Sequence, residues 1–135
     1  MKKFDVQTVE INAPFARTFD YIADAQNLPQ WTSAFKSVSG AGRALMRTPQ
    51  GVVDVALIVH ATREQGTIDW AMTFPDGNVA KAYSRVVDAG KDRSIYSFIL
   101  VPPPVPLEQL EGTLHQQSQI LREELSRLTD ILDGK

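Results

Sequence analysis

The sequence predicts an α+β fold: a seven-stranded antiparallel sheet, two short helices after the first strand, and a long C-terminal helix. Three observations predict it. Turn signals recur about every ten residues from residue 33 to 101, the rhythm of a meander rather than of alternating strands and helices. A proline-rich break at 102–106 then switches the apolar period to that of a helix. Finally, 135 residues with 43% hydrophobic and 22% charged content suit one domain with a real core. A chain of this size buries roughly two thirds of the surface that its unfolded form exposes, so it needs no disulfide or structural metal to hold it together.

The elements follow in order. Residues 4–12 alternate, with Phe4, Val6, Thr8 and Glu10 on one face and Asp5, Gln7, Val9 and Ile11 on the other, which suits a strand of mixed burial. Asn12-Ala13-Pro14 stops it, because proline gives a ladder no N–H yet fits the first turn of a helix. A helix through Ala23 is expected there, with the stripe Phe15, Phe19, Ile22. Asp24 is placed to cap a second short helix that ends near Leu28-Pro29, with Trp31 directly after it. Gly40-Ala41-Gly42 separates strands at 34–39 and 43–48, and Pro49-Gln50-Gly51 ends the latter. Turns at Glu64-Gln65-Gly66, Pro75-Asp76-Gly77-Asn78 and Ala89-Gly90-Lys91-Asp92 leave strands at 52–62, 67–74, 78–88 and 93–101.

Beyond the prolines, Leu107, Leu110, Leu114, Leu121, Leu125, Leu128 and Leu132 fall at helical steps, and Gly134 follows as a stop. A helix of about 26 residues is about 39 Å long and crosses a whole domain of this size. At roughly 1.5–3 kcal/mol per buried leucine, its stripe must pack on the sheet or on another chain.

The segment Val9-Glu10-Ile11-Asn12-Ala13-Pro14, through Phe19-Asp20-Tyr21-Ile22-Ala23-Asp24, to Asn27-Leu28-Pro29-Gln30-Trp31 resembles the opening of the polyketide cyclase/dehydrase branch of the START-like (SRPBCC) superfamily. The resemblance extends over the whole chain. It implies a helix-grip fold, a curved seven-stranded antiparallel sheet wrapped around the long C-terminal helix, with a hydrophobic cavity between them. It also implies a ligand of the lipid, sterol, polyketide or hormone kind, without choosing among them, because the matching Pro, Phe, Leu-Pro and Trp positions look like packing and turn positions.

Alternation suggests which residues line that cavity. In strand 67–74, Ile68, Trp70, Met72 and Phe74 share the face expected to point in. In strand 78–88, Lys81 and Arg85 mark the outer face and put Ala80, Ala82, Ser84 and Val86 inside. Small inward side chains opposite large ones leave room for a ligand; a filled core with size-matched partners is the competing reading. Strand 93–101 is apolar on both faces, so Tyr96, Phe98 and Leu100 are not separated from Ile95 and Ile99. On the long helix, Gln117 sits between Leu114 and Leu121, and a buried amide needs either a strand partner or a ligand or water group. The small residues Gly112 and Thr113 lower helix propensity one turn earlier and leave room for a ligand or loop. The candidate ligand-binding residues are therefore Trp70, Met72, Phe74, Ala82, Ser84, Phe98, Leu110, Leu114, Gln117 and Leu121. Trp31 is expected to seal the short helices onto the sheet, and Trp70 is open between core and ligand contact.

Composition narrows the chemistry. With no cysteine, the chain has no disulfide scaffold, thiol nucleophile or cysteine-held metal. A formal charge of −2 provides no basic field for nucleic acid. His60 and His115 are the only imidazoles and stand in no metal spacing. His60 shares strand parity with Asp54, but six residues put them about 20 Å apart. Alternation turns His60 outward, with Val53, Val55, Leu57 and Val59 inward. Neither a nucleotide loop nor Gly-x-Ser-x-Gly occurs, and no cofactor is implied. The longest apolar run, Val55–Val59, is far too short to span a bilayer, and no signal peptide precedes the first strand, so stable membrane insertion is not expected and a cytoplasmic location is. The leading expectation is binding of a small apolar or aromatic molecule. The alternative is a metal-free cyclase, aromatase or dehydratase in the same cavity, which needs an inward ionisable group such as His60 or Tyr83. A homodimer through outer-face residues Ala56 and Ile58 is a third reading.

Overall fold

The computed structural model describes residues 3–49, 51–102 and 107–133, with side chains in the last segment from residue 112 onward. Seven strands form: β1 (Asp5–Ile11), β2 (Phe35–Val38), β3 (Arg43–Thr48), β4 (Gly51–Thr62), β5 (Thr67–Thr73), β6 (Val79–Gly90) and β7 (Arg93–Leu100). Helices α1 (Phe15–Ala23) and α2 (Leu28–Trp31) flank a 3-10 turn at Ala25–Asn27, and α3 runs over Leu107–Leu132. The expected bend at 103–106, the side chains of Leu107 and Leu110, and the stop at Gly134 lie outside the described residues.

The sheet order is β1-β7-β6-β5-β4-β3-β2, all neighbours antiparallel. After β1 the chain crosses to the far edge through α1 and α2. The meander then returns strand by strand until β7 pairs with β1, from Asp5↔Leu100 to Ile11↔Ser94. Together with α3, this is the expected helix-grip arrangement of a curved open sheet and a long C-terminal helix. Among the described residues no helix is long and apolar enough to cross a membrane.

Local chemistry explains where the elements depart from expectation. Pro14 is the N-cap of α1 in extended conformation (φ −68°, ψ 158°), one step before the first turn. The second short helix divides into two pieces. Asp24 Oδ1 accepts from the Gln26 N–H at 3.0 Å and caps the 3-10 turn, after which a new helical turn opens at Leu28 with Pro29 in its first positions and Trp31 as its last residue. Pro29 does not end a helix here, because the N–H it lacks would have no intrahelical partner at that position. Strand β6 runs on to Gly90 past an irregularity after Asp88, and the hairpin to β7 has Lys91 (φ 53°) and Asp92 (φ 61°) as its two left-handed residues, as a two-residue hairpin turn demands. Gly66 (φ 74°) has no substitute: a Cβ there would run into the Val86 carbonyl, while the Val86 N–H donates to Gly66 O at 2.8 Å.

Helix α3 is held by polar contacts along its length. The Gln7 side-chain amide donates to Ser118 O at 2.7 Å, the Ser33 N–H donates to Glu124 Oε2 at 2.6 Å, and Arg127 Nη1 donates to Trp31 O at 3.1 Å. Between these, Leu121, Leu125, Leu128 and Leu132 are buried in one contiguous core with Ile11, Phe19, Ile22, Leu28, Trp31 and Tyr96. The leucine stripe therefore finds its partner within the chain over this C-terminal half.

Candidate functional site

Inward-facing side chains of the sheet alternate as their strands require. In β5, Ile68, Trp70 and Met72 are buried while Thr67, Asp69 and Ala71 are half-buried on the other face. In β6, Ala80, Ala82, Ser84 and Val86 face in and Lys81, Tyr83 and Arg85 are exposed. In β4, Val55 and Leu57 are buried and Val53 and Val59 half-buried, while His60 is exposed as expected. Strand β7, unassignable from sequence, turns Ser94, Tyr96, Phe98 and Leu100 inward and leaves Ile95 and Ile99 on the outer surface.

Burial along this inner face is graded. One end is sealed: Ile11, Ser94, Tyr96, Val86 and Ile68 are all at most 1% exposed, under α1, α2 and the C-terminal half of α3. Toward the opposite end, Val59, Phe74, Ala80, Ala82, Phe98 and Leu100 all face inward yet stay only half-buried. Register sets small residues opposite large ones there: Trp70 faces Ala82, and Met72 faces Ala80. Trp70 stacks on Phe98 at 6.2 Å between ring centroids and 27° between planes. This partly covered apolar stretch of the inner face, on β5, β6 and β7, is the candidate site and is called the recess below.

Of the residues singled out from sequence, Trp70, Met72, Phe74, Ala82 and Phe98 come together in the recess. Ser84 is adjacent, paired with Phe98, and its hydroxyl donates to Ile68 O at 2.6 Å. Its backbone N–H turns to Asp69 Oδ1 at 3.3 Å. Leu121 is buried in the contiguous core. Leu114 is buried but stands outside the contiguous core, and Gln117 is half-buried beside it on α3. The side chain of Leu110 lies outside the described residues. Gly112 is exposed, with open space where a Cβ would be, so that small residue makes no room inside.

Sequence reasoning missed the polar groups at the inner boundary of the recess. Tyr96 is 0%, Trp31 1% and Trp70 3% exposed, and the Tyr96 hydroxyl and both indole N–H groups have no hydrogen-bond partner. Trp31 touches both other rings, at 6.5 Å from Trp70 and edge-on at 6.4 Å from Tyr96. Burial drives the Tyr96 hydroxyl far above its ordinary pKa; nearby Ser84 pulls it down a little without a bond of normal geometry, and the Asp69 and Glu124 carboxylates raise it further. Burial likewise raises the Glu124 carboxyl, opposed by the Ser33 N–H and by Arg127 and reinforced by Glu123. A signal for Glu124 was present in the sequence, since it lies three residues after Leu121 and four before Leu128, on the flank of the leucine stripe. For Tyr96 there was none, because both faces of its strand read as apolar.

His60, Tyr83 and His115 are exposed, which removes His60 and Tyr83 as inward acid–base candidates. A shallow depression of about 410 Å³ opens on the outer face beside Asp69, Tyr83, Arg85 and Ile99, on the wrong side of the sheet for the recess. Among the described residues no three or more His, Asp or Glu side chains gather as a metal site.

Solved structures share this architecture. The protein XoxI from Bacillus cereus superposes with a TM-score of 0.70 at 14% identity, covering 97% of this chain and 96% of that one. A START superfamily protein from Mycobacterium smegmatis gives 0.64 at 17% identity, covering 96% and 98%. The Zhui aromatase/cyclase from Streptomyces sp. R1128 gives 0.62 at 10% identity, covering 96% and 90%. At such identities the likeness speaks for the fold alone. No curated protein matches the sequence. The family model described as polyketide cyclase / dehydrase and lipid transport matches residues 3–132, and with that span the chain belongs to this family.

Proposed function

We propose that the protein binds a small apolar or aromatic molecule in the recess between the inner sheet face and α3. The observation that carries this reading is the half-burial of Phe74, Ala80, Ala82, Phe98 and Leu100, a group of inward-facing apolar side chains beside the buried Trp70 and Met72. Apolar surface left uncovered there gains roughly 25 cal/mol per Å² when a ligand covers it. Membership of a family of cyclases, dehydrases and lipid transporters supports a lipid-like or polyketide-like occupant.

Titration with the neutral dye phenylnaphthylamine, read by energy transfer from tryptophan, tests the proposal. The expected result is saturable one-site binding that Ala82→Leu abolishes, because the leucine fills the space facing Trp70. Absence of saturable binding, or binding that Ala82→Leu leaves unchanged, overturns it.

A second reading is supported by one observation. Catalysis on the inner face needs an ionisable group there, and Tyr96 faces inward with Glu124 of α3 near enough to raise it, both with raised pKa values, where His60 and Tyr83 are exposed. A carboxyl whose pKa burial raises is a better proton donor site for a metal-free cyclisation or dehydration than an exposed one. Turnover of a poly-ketone substrate that Glu124→Gln abolishes while leaving dye binding intact would favour this reading over binding alone.

A further inference from the structure

The outer face of the sheet is unusually apolar for a surface in water. Exposed large hydrophobic residues normally scatter singly over a monomer. Among the described residues eleven of the twelve share this one face, and only Ile120 of α3 lies elsewhere. Register gathers six of them on three adjacent strands: Val6, Ile99 and Tyr83 form one row and Ile95 and Val87 another, with Phe4 just before β1. These six are 36–51% exposed. At roughly 150–200 Å² per large side chain, they leave about 450 Å² of apolar surface in water. A protein interface is a little over half apolar, so this corresponds to about 800 Å² per partner, the size of a standard stable interface.

Polar groups among these rows already have partners. Thr8 Oγ1 and Ser97 Oγ lie 3.1 Å apart, Arg85 Nε donates to Gln65 O at 3.0 Å, and Glu10 pairs with Arg93, so covering them costs less than covering free groups. The face also carries both a hollow and a projection: the depression of about 410 Å³ beside Asp69, Tyr83, Arg85 and Ile99, and Phe4, its most exposed aromatic side chain. With both on one face, two copies can make the same contact twice across a two-fold axis and close as a dimer rather than extend as a filament. Charge separates the possible partners. Lys81 and Arg85 stand with Asp69 and the Glu10–Arg93 pair, a mixture of signs that a second copy can complement, whereas a chain of net charge −2 with this mixed face has little attraction for an anionic bilayer or a polyanion. We infer that the outer face of β1, β7 and β6 is an interface with a second copy of this chain, a two-fold dimer centred near Ile99 that leaves both inner faces free. The dimer stands whether or not the recess takes a ligand.

Sedimentation velocity from about 1 to 100 µM tests the interface, since contacts of this size hold at micromolar affinity or better. The expected result is a species of twice the 15.0 kDa chain that grows with concentration. Ile99→Lys puts like charges face to face near the two-fold axis and should raise the dimer dissociation constant at least about thirtyfold. Val6→Lys, in the same row, should act in the same direction. Both positions are exposed, so thermal unfolding should shift little. Ile120→Lys, off this face, should leave the dimer intact. A monomer throughout that range overturns the proposal. So does a dimer that both outer-face lysines leave unchanged, which would move the contact elsewhere, as to the edge strand β1. A monomer that co-sediments with phosphatidylcholine vesicles would give the face to a lipid surface and overturns the dimer as well.

Discussion

The two ends of the same inner sheet face differ in how they are finished. At one end, Ile11, Tyr96, Val86 and Ile68 are covered by α1, α2 and the leucines of α3, and almost nothing is left exposed. At the other, alanines stand opposite the buried Trp70 and Met72, and Phe74, Ala80, Ala82, Phe98 and Leu100 are only half covered. The strands are continuous between the two ends, so the difference lies in side-chain volume and in what lies above. A stable core and a receptive recess therefore use one sheet, with stability concentrated at one end so that the other need not be filled.

The strongest way to break this comparison is to open the sealed end. Trp31→Ala removes a ring that touches both Trp70 and Tyr96 and lies beneath the Arg127 contact to α3. A loss of about 3–5 kcal/mol is expected in urea unfolding. A loss below about 1 kcal/mol would mean that the end is not sealed by this residue. The next largest effect contrasts two equal insertions. Ala44→Leu adds bulk beside Val55 and Val38, where the alanine is 3% exposed, and should cost about 1–3 kcal/mol. Ala80→Leu, in the half-buried recess, should cost less than about 1 kcal/mol yet weaken dye binding. Equal costs would erase the distinction between the packed inner face under β3 and β4 and the half-buried positions of β6.

Most of the sealed end was legible in the sequence because it is written in periodicity. Phe15, Phe19 and Ile22, the leucines from 121 to 132, and the parity of β5 and β6 each repeat a spacing that only one geometry satisfies. The outward turn of His60 followed from the same rule. What escaped depends on contacts distant in sequence. Nothing in Ser94-Ile95-Tyr96-Ser97-Phe98-Ile99 says which parity is inner until Val9↔Tyr96 pairing puts the tyrosine beneath α2 and α3. Trp31 was legible as a seal, but its unpartnered N–H was not, since a donor's partner is a property of the whole packed neighbourhood. That a new helical turn opens at Leu28, where the sequence suggested an end near Leu28-Pro29, was missed because proline reads both as a stop and as a first-turn residue.

The remaining predictions concern the two ionisable groups on the inner boundary, the larger first. With its pKa raised on folding, Tyr96 holds its proton in the native state while the unfolded chain releases it above about pH 10. The unfolded state then binds fewer protons, so stability falls with rising pH, by up to about 1.4 kcal/mol per pH unit for this group. Tyr96→Phe should flatten that alkaline decline in unfolding midpoints measured from pH 9 to pH 11, a window of about two units around the ordinary tyrosine value. An unchanged slope would show that the hydroxyl reaches solvent and that the end is not sealed around it.

Glu124 has the same sign at lower pH. Its raised pKa gives a contribution fully present below the unfolded glutamate value of about 4.3 and lost as pH rises through the higher folded value. Glu124→Gln keeps an oxygen for the Ser33 N–H and cannot ionise, so its stability should depend less on pH across the acid-to-neutral range. At neutral pH the glutamine variant should be at least as stable as the parent, provided that desolvation outweighs the Ser33 and Arg127 contacts, as the upward shift requires. A variant that is less stable at neutral pH but equal at acid pH would reverse that balance. The carboxylate would then be a structural clamp between α3 and the start of β2, with no proton to offer the recess.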